Sequence, residues 1–144
     1  MLKQLTSENL DRVARDEKGI YLIKFTSTTC APCRTMAPVV ESFKQHNPQI
    51  GVYEVDTGAS PELAAHFQIR GVPTILFCRG REILYSFSGV RSEADLHYMA
   101  THMDDPYFKE HGEFEVKPAK QSWWFAGSII GIVIFFVLLY IFAS

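Results

Sequence analysis

The sequence predicts a single α/β domain, with a mixed central sheet flanked by helices, followed by one transmembrane helix. Three observations lead to this fold class. Short β-branched and aromatic runs alternate with segments of helical apolar spacing, about 100 residues suffice for one core, and an uncharged apolar stretch lies near the C-terminus. We expect the domain at residues 1–104, a linker at 105–122 and the membrane span at 123–143.

Each element of the domain has its own sequence signal. Residues 2–5 predict a short first strand, and β-branched and aromatic runs predict strands at residues 20–25, 50–55, 74–78 and 82–87. Apolar residues at helical spacing predict helices that start near Thr6 and at Ala31, a short helix at 60–67 and a last helix at 92–103. The last two strands form a hairpin through Arg79 and Gly80.

Cys30 and Cys33 are the most informative residues for function. They form a C-x-x-C motif at the junction between the second predicted strand and the helix that follows it. Because the unpaired N–H groups and the dipole of a helix start favour an anion, we expect Cys30 to be partly ionised at neutral pH. Cys33, one turn deeper, is expected to be the resolving thiol. Thiol–disulfide exchange is therefore the leading hypothesis.

A zinc site is the alternative explanation of a C-x-x-C motif. A closed structural site needs four ligands, commonly in two close pairs, and the chain offers one further cysteine, Cys78, and five scattered histidines. We therefore expect no metal and no cofactor. Because free cysteines are commonly buried, Cys78 is expected to be a small core residue rather than a third redox centre. A net charge of −2 without a basic cluster favours no nucleic-acid partner.

The segment around the two cysteines resembles the active-site strand, loop and helix of the thioredoxin family. The similarity includes the Cys-Ala-Pro-Cys motif at residues 30–33, a proline at position 38 and the sequence Gly-Val-Pro-Thr at residues 71–74. It covers about residues 1–104 and implies the thioredoxin fold. It also implies that Pro73 is the family's cis-proline.

The resemblance implies a dithiol reductase with Cys30 and Cys33 as the catalytic, redox-active pair. It further implies a substrate groove beside Cys30, formed by Thr29, Ala31, Pro32, Val72, Pro73 and Gly89. Proline at position 32 accompanies reducing rather than oxidising members of the family. The implied partners are protein disulfide clients and a thiol reductant that restores the dithiol.

Two positions depart from the family pattern. Thr29 replaces the tryptophan that commonly precedes the first cysteine, so the choice of clients is expected to differ. Lys24 occupies the strand position of a buried acid that helps move the proton of the resolving cysteine. Its ammonium either stays buried near the cysteines or reaches water, and the sequence leaves both open. The departures favour an alternative function as a thioredoxin-like accessory or structural subunit of a membrane complex, with little or no redox turnover.

Residues 123–143 predict a transmembrane helix. The stretch carries no charge, and at about 1.5 Å per residue it matches the roughly 30 Å of a hydrocarbon core. Trp123 and Trp124 suit the interface, and the lysines before the span place the domain on the cytoplasmic or organelle matrix side. Since the N-terminus lacks an apolar signal core, we expect a tail-anchored protein. Gly127 and Gly131 form a G-x-x-x-G motif that would permit a transmembrane helix partner.

Overall fold

The computed structural model describes residues 1–114. The strands are β1 (Lys3–Gln4), β2 (Ile20–Thr26), β3 (Gly51–Asp56), β4 (Thr74–Arg79) and β5 (Glu82–Ser88). The helices are α1 (Leu10–Asp16), α2 (Ala31–His46), α3 (Pro61–His66), α4 (Glu93–His102) and α5 (Pro106–His111). All the predicted strands and helices are present, and α5 is an additional element.

The five strands form one mixed sheet in the order β1-β3-β2-β4-β5. Strands β1, β3 and β2 are parallel, whereas β4 and β5 run antiparallel to their neighbours. The mixed sheet predicted from the sequence is therefore confirmed. Strand β2 is central, so the loop that follows it leaves from the middle of the sheet edge.

Helices cover both faces of the sheet because successive side chains of a strand point to opposite sides. On one face, Phe25 of β2 packs with Leu63 of α3. On the other face, Leu22 of β2 packs with Phe43 of α2 and Leu96 of α4. All five side chains are at most 2% exposed. The central strand is thus held on both sides, which gives the site at its end a rigid base.

Helix α1 begins at Leu10 rather than near Thr6, where the sequence predicts its start. The side-chain oxygen of Asn9 accepts the backbone N–H of Thr6 at 2.9 Å. The N–H of Asn9 in turn donates to the carbonyl of Thr6 at 3.2 Å. Such local side-chain bonds compete with helical ones, so residues 6–9 form a turn before the helix.

The folded unit continues beyond residue 104 and comprises Met1–Phe114. Phe108 of α5 is 8% exposed and stacks on Phe114, with ring centroids 4.6 Å apart. Its ring also meets the edge of Tyr85 on β5, at a centroid distance of 5.8 Å. Arg79 of β4 binds both carboxylate oxygens of Asp104, at 3.1 and 2.7 Å. Residues 105–114 therefore belong to the domain instead of the expected linker, because their aromatic side chains cover the outer strand.

No helix within residues 1–114 combines the length and apolar character needed to cross a membrane. The span expected at residues 123–143, with Gly127 and Gly131, lies outside the described residues, as does the rest of the expected linker.

Candidate active site

Cys30 is the N-cap residue of α2. Its backbone is extended, with φ −88° and ψ 110°, and α2 begins at the next residue. The backbone N–H of Cys33 donates a hydrogen bond to Cys30 Sγ at 3.1 Å. The sulfur thus takes the place of a capping oxygen and faces the unpaired N–H groups of the first helical turn. This position stabilises negative charge on Cys30 Sγ.

Cys30 and Cys33 are joined by a disulfide, with their Cα atoms 5.3 Å apart. Cys30 is half-buried, whereas Cys33 is only 2% exposed. An incoming reactant therefore reaches the sulfur of Cys30, and the sulfur of Cys33 is shielded behind it. This geometry suits an attacking Cys30 and a resolving Cys33.

The loop before β4 brings Val72 and Pro73 to Cys30. The carbonyl oxygen of Val72 lies 3.5 Å from Cys30 Sγ, and the Val72–Pro73 peptide bond is cis. The carbonyl of Pro73 accepts the N–H of Gly89 at 2.9 Å, which ties the end of β5 to the same place. Gly89 has a φ of +95°, a conformation that a residue with a side chain adopts only under strain. Of the residues named by the family resemblance, Val72 thus adjoins Cys30, and Gly89 is bound to the neighbouring Pro73.

The outer side of the site is formed by Thr29, Ala31 and Pro32, which are all exposed. The hydroxyl of Thr29 lies 3.2 Å from the hydroxyl of Ser27, and the two form a hydrogen bond. Where the resemblance leads one to expect a tryptophan, this surface therefore presents a pair of hydroxyl groups.

Lys24 is buried, and its side chain is 3% exposed. It shares the face of β2 with Leu22, which is the face covered by α2. The Lys24 ammonium donates to Glu54 Oε2 at 2.7 Å, from a position directly opposite Glu54 in the pairing of β2 with β3. The sequence left open whether the Lys24 ammonium is buried or reaches water, and in the structure it is buried. It pairs with a carboxylate on the neighbouring strand.

A cavity of about 280 Å³ that is open to solvent is lined by Cys33 and by both members of the ion pair, Lys24 and Glu54. A polar cavity of this size is large enough to hold water. The Glu54 side chain is 24% exposed, so its carboxylate is in contact with solvent. Glu54 belongs to none of the motifs that the sequence presents. A charged residue between Tyr53 and Val55, both buried, was the available signal.

Cys78 lies in the core, as expected, with 2% of its surface exposed. Burial raises the pKa of its thiol to about 12. It packs in the cluster that contains Tyr21 and Leu76. The register of the β4–β5 hairpin shifts between Phe77 and Cys78. A protonated, buried thiol takes no part in exchange at the Cys30 site.

Comparison with known proteins agrees with the geometry of the site. The family model described as thioredoxin matches residues 1–102. Putative thioredoxin 2 of Streptomyces coelicolor is 37% identical over 93 residues, which cover 65% of this chain and 69% of that protein. Thioredoxin of Buchnera aphidicola subsp. Schizaphis graminum is 31% identical over 94 residues, covering 65% of this chain and 87% of that protein.

Solved structures lead to the same family. The X-ray structure of Fasciola hepatica thioredoxin matches with a TM-score of 0.66 and 28% sequence identity, covering 71% of this chain and 99% of that chain. The Cys30–Cys33 pair has the C-x-x-C spacing and the helix N-terminal position that thiol–disulfide exchange requires. The chain therefore belongs to the thioredoxin family and is a thiol–disulfide oxidoreductase of that type.

Proposed function

We propose that this protein reduces disulfide bonds of protein clients through Cys30 and Cys33 while a C-terminal span holds it at a membrane. The reductase part of the proposal rests on one observation. The more accessible of the two sulfurs, that of the half-buried Cys30, accepts an N–H at the start of α2 and adjoins the carbonyl of Val72. A thiolate at this place is stabilised and can be reached by a client.

The reaction takes place in two exchanges. The Cys30 thiolate attacks one sulfur of the client disulfide, an S–S bond to Cys30 forms, and the other client sulfur leaves as a thiolate that takes a proton from solvent. Cys33 then loses its proton and attacks the sulfur of Cys30. The mixed disulfide breaks, the Cys30–Cys33 bond forms, and the second client sulfur leaves. Two electrons pass to the client, and a cellular dithiol reductant returns them to the protein.

The Lys24–Glu54 pair provides a route for the proton of Cys33. Cys33 is buried, and the open cavity that it lines also has Glu54 in its wall. Because the Glu54 carboxylate is partly exposed, it can take a proton from this cavity and release it to solvent. A carboxylate from β3 would then serve the resolving step, although β2 carries a lysine at the position of the family's acid.

Client binding would use the residues that meet around Cys30. Val72, Pro73 and Gly89 line one side of the sulfur, and Ala31 and Pro32 are exposed on the other. An extended client segment could lie between these two sides with its disulfide over Cys30. The hydroxyl groups beside Cys30 would favour clients that do not need an aromatic docking surface.

The membrane part of the proposal rests on the sequence of residues 123–143, which contains no charged side chain. The lysines before this stretch favour a domain on the cytoplasmic or organelle matrix side. Tethering would raise the effective concentration of the dithiol toward clients at that membrane. Gly127 and Gly131 would permit a helix partner within the bilayer.

Trapping of a mixed disulfide tests the reductase. The full-length chain carries Cys33→Ser in a Cys78→Ala background, so that Cys30 is the sole thiol and cannot be resolved. We expect a discrete adduct on non-reducing gels, which disappears with reductant and contains a client identifiable by mass spectrometry. The matched control adds Cys30→Ser and should give no adduct.

A chain that forms no adduct but remains in a stable membrane complex would instead favour the accessory-subunit alternative. The span is tested separately, because a chain that spans the bilayer stays with the membrane during extraction with alkaline carbonate. Release of the full chain into the soluble fraction would contradict the anchor without affecting the trapping result.

A further inference from the structure

Three exposed arginines lie on the three parts of the fold that contribute to the site at Cys30. Arg34 lies in the first turn of α2, Arg70 in the loop before β4, and Arg91 in the loop after β5. The whole chain has a net charge of −2, so a general excess of positive charge does not explain them. We call Arg34, Arg70 and Arg91 the arginine rim.

The backbone contacts of the site hold the rim near the reactive sulfur. Arg70 is two residues from Val72, whose carbonyl lies 3.5 Å from Cys30 Sγ. Arg91 is two residues from Gly89, whose N–H binds the carbonyl of the adjoining cis-proline. Two residues of chain span at most about 7 Å, and an arginine side chain has a similar reach. A client bound at Cys30 therefore comes within range of the rim.

No rim arginine forms an ion pair within residues 1–114. The guanidinium of Arg91 lies 3.5 Å from the carbonyl of Val90, and its Cζ is 5.6 Å from the centroid of the Phe87 ring. By contrast, Arg79 and Arg81, on the hairpin, are both paired with aspartates. Among residues 1–114, the positive charge of the rim thus has no carboxylate partner.

Three carboxylates close to the rim in the chain or in a cavity wall already accept hydrogen bonds from other groups of the domain. Asp95 accepts the N–H and the hydroxyl of Ser92 in the capping box of α4. Glu93 accepts the hydroxyl of Ser42 at 2.6 Å and contacts His46, also at 2.6 Å. Asp56, which shares a cavity wall with Arg34, accepts the N–H of Gly58 at 2.8 Å.

Apart from the hydroxyl groups of Thr29 and Ser27, the surface inside the rim includes several apolar side chains. Val90 is 40% exposed, Pro32 is exposed, and Val72 is half-buried. An apolar centre bordered by unpaired cations fits an extended segment that has an apolar residue beside its cysteine and acidic residues further along. Opposite charges of this kind increase specificity and the rate of association more than they increase affinity.

We propose that the arginine rim selects clients whose disulfide is flanked by Asp and Glu. This inference rests on the proposed reductase function and names its class of substrate. Clefts of one charge sign raise association rates by about 10-fold or more at low salt. We therefore expect disulfides with acidic flanking residues to be reduced about tenfold faster than those with neutral flanking residues. Exposed charges are screened over roughly 3–5 Å near 0.5–1 M salt, so the preference should fall below about twofold there.

The test compares two synthetic disulfide peptides that are identical except for Glu or Gln in the flanking positions. The pre-reduced full-length chain is mixed with each peptide, and the single-turnover rate of peptide reduction is measured at low and high salt. The quantity compared is the Glu-to-Gln rate ratio, which cancels changes in the exchange chemistry itself. We expect a ratio of about 10 at low salt.

Two charge-matched variants locate the effect. Arg34→Gln/Arg70→Gln/Arg91→Gln should lower the ratio to about twofold or less. The control Arg12→Gln/Arg15→Gln/Lys18→Gln removes the same charge from exposed positions on and just after α1 and should keep the wild-type ratio. A Glu-to-Gln rate ratio near one in the wild-type chain, or an equal fall of this ratio in both variants, would overturn selection by charge. Either result would leave the proposed reductase function standing. Failure to reduce either peptide would overturn the reductase proposal and this inference with it.

Discussion

Replacement of Glu54 by Gln tests whether the buried Lys24 depends on its carboxylate partner. The Lys24 side chain is 3% exposed, that of Glu54 is 24% exposed, and the two are 2.7 Å apart. A glutamine oxygen can still accept a hydrogen bond but does not compensate the ammonium charge. Glu54→Gln therefore leaves a buried cation without its counter-ion, and we expect the domain to lose stability.

The size of the loss follows from the burial of the two partners. Breaking a fully buried pair costs about 3–5 kcal/mol, and breaking an exposed one costs roughly 0.2–1 kcal/mol. Since one partner is buried and the other is partly exposed, we expect the free energy of unfolding to fall by about 2–3 kcal/mol. For a domain of this size, that corresponds to a decrease in Tm of roughly 10–20 °C.

Urea unfolding of the full chain in a non-ionic detergent, followed by circular dichroism, measures this loss. Lys24→Met provides the matched comparison, because the partly exposed Glu54 left behind can be hydrated. It should cost about 1 kcal/mol or less. The double variant should then be more stable than Glu54→Gln alone. An unfolding free energy for Glu54→Gln within about 0.5 kcal/mol of wild type would refute this reasoning.

Two further predictions concern the core and the C-terminal helix. Burial raises the pKa of the Cys78 thiol to about 12, so this thiol stays protonated at neutral and mildly alkaline pH. Iodoacetamide should therefore label Cys30 of the reduced native chain. It should leave Cys78 unlabelled until denaturant is added. Mass spectrometry of the labelled peptides checks this, and rapid native labelling of Cys78 would contradict it. Phe108→Ala should lower the unfolding free energy by about 3 kcal/mol, whereas Tyr107→Ala, at a position 42% exposed, should change it by less than about 0.5 kcal/mol. Similar losses for both variants in the same urea assay would mean that α5 does not pack as described.

The central strands and helix were predictable because their signals are local. The run from Ile20 to Phe25 has the composition of a buried strand, and β2 extends it by one residue. Helix α2 begins at Ala31, as the helical spacing after Cys30 indicates. The C-x-x-C motif therefore had a defined place between strand and helix before any tertiary contact was known.

The features that sequence reasoning missed depend on contacts between distant residues. Glu54 is significant only because strand pairing places it opposite Lys24, and a single sequence does not contain that register. Helix α5 is short, and its burial depends on Tyr85 of β5, which offers an aromatic surface to Phe108. Isolated aromatics in a charged segment give no local sign of such a partner.

The unequal exposure of the two cysteines has a kinetic consequence. Cys33 is buried and Cys30 is the accessible sulfur, so electrons enter and leave the protein through one atom on one surface. In the proposed reductase cycle, the client and the reductant would therefore exclude each other, and no ternary complex would form. Steady-state turnover should follow a ping-pong rate law, with each substrate a competitive inhibitor of the other at high concentration. The reductant must also fit the surface that the client uses, so a change there alters both halves of the cycle.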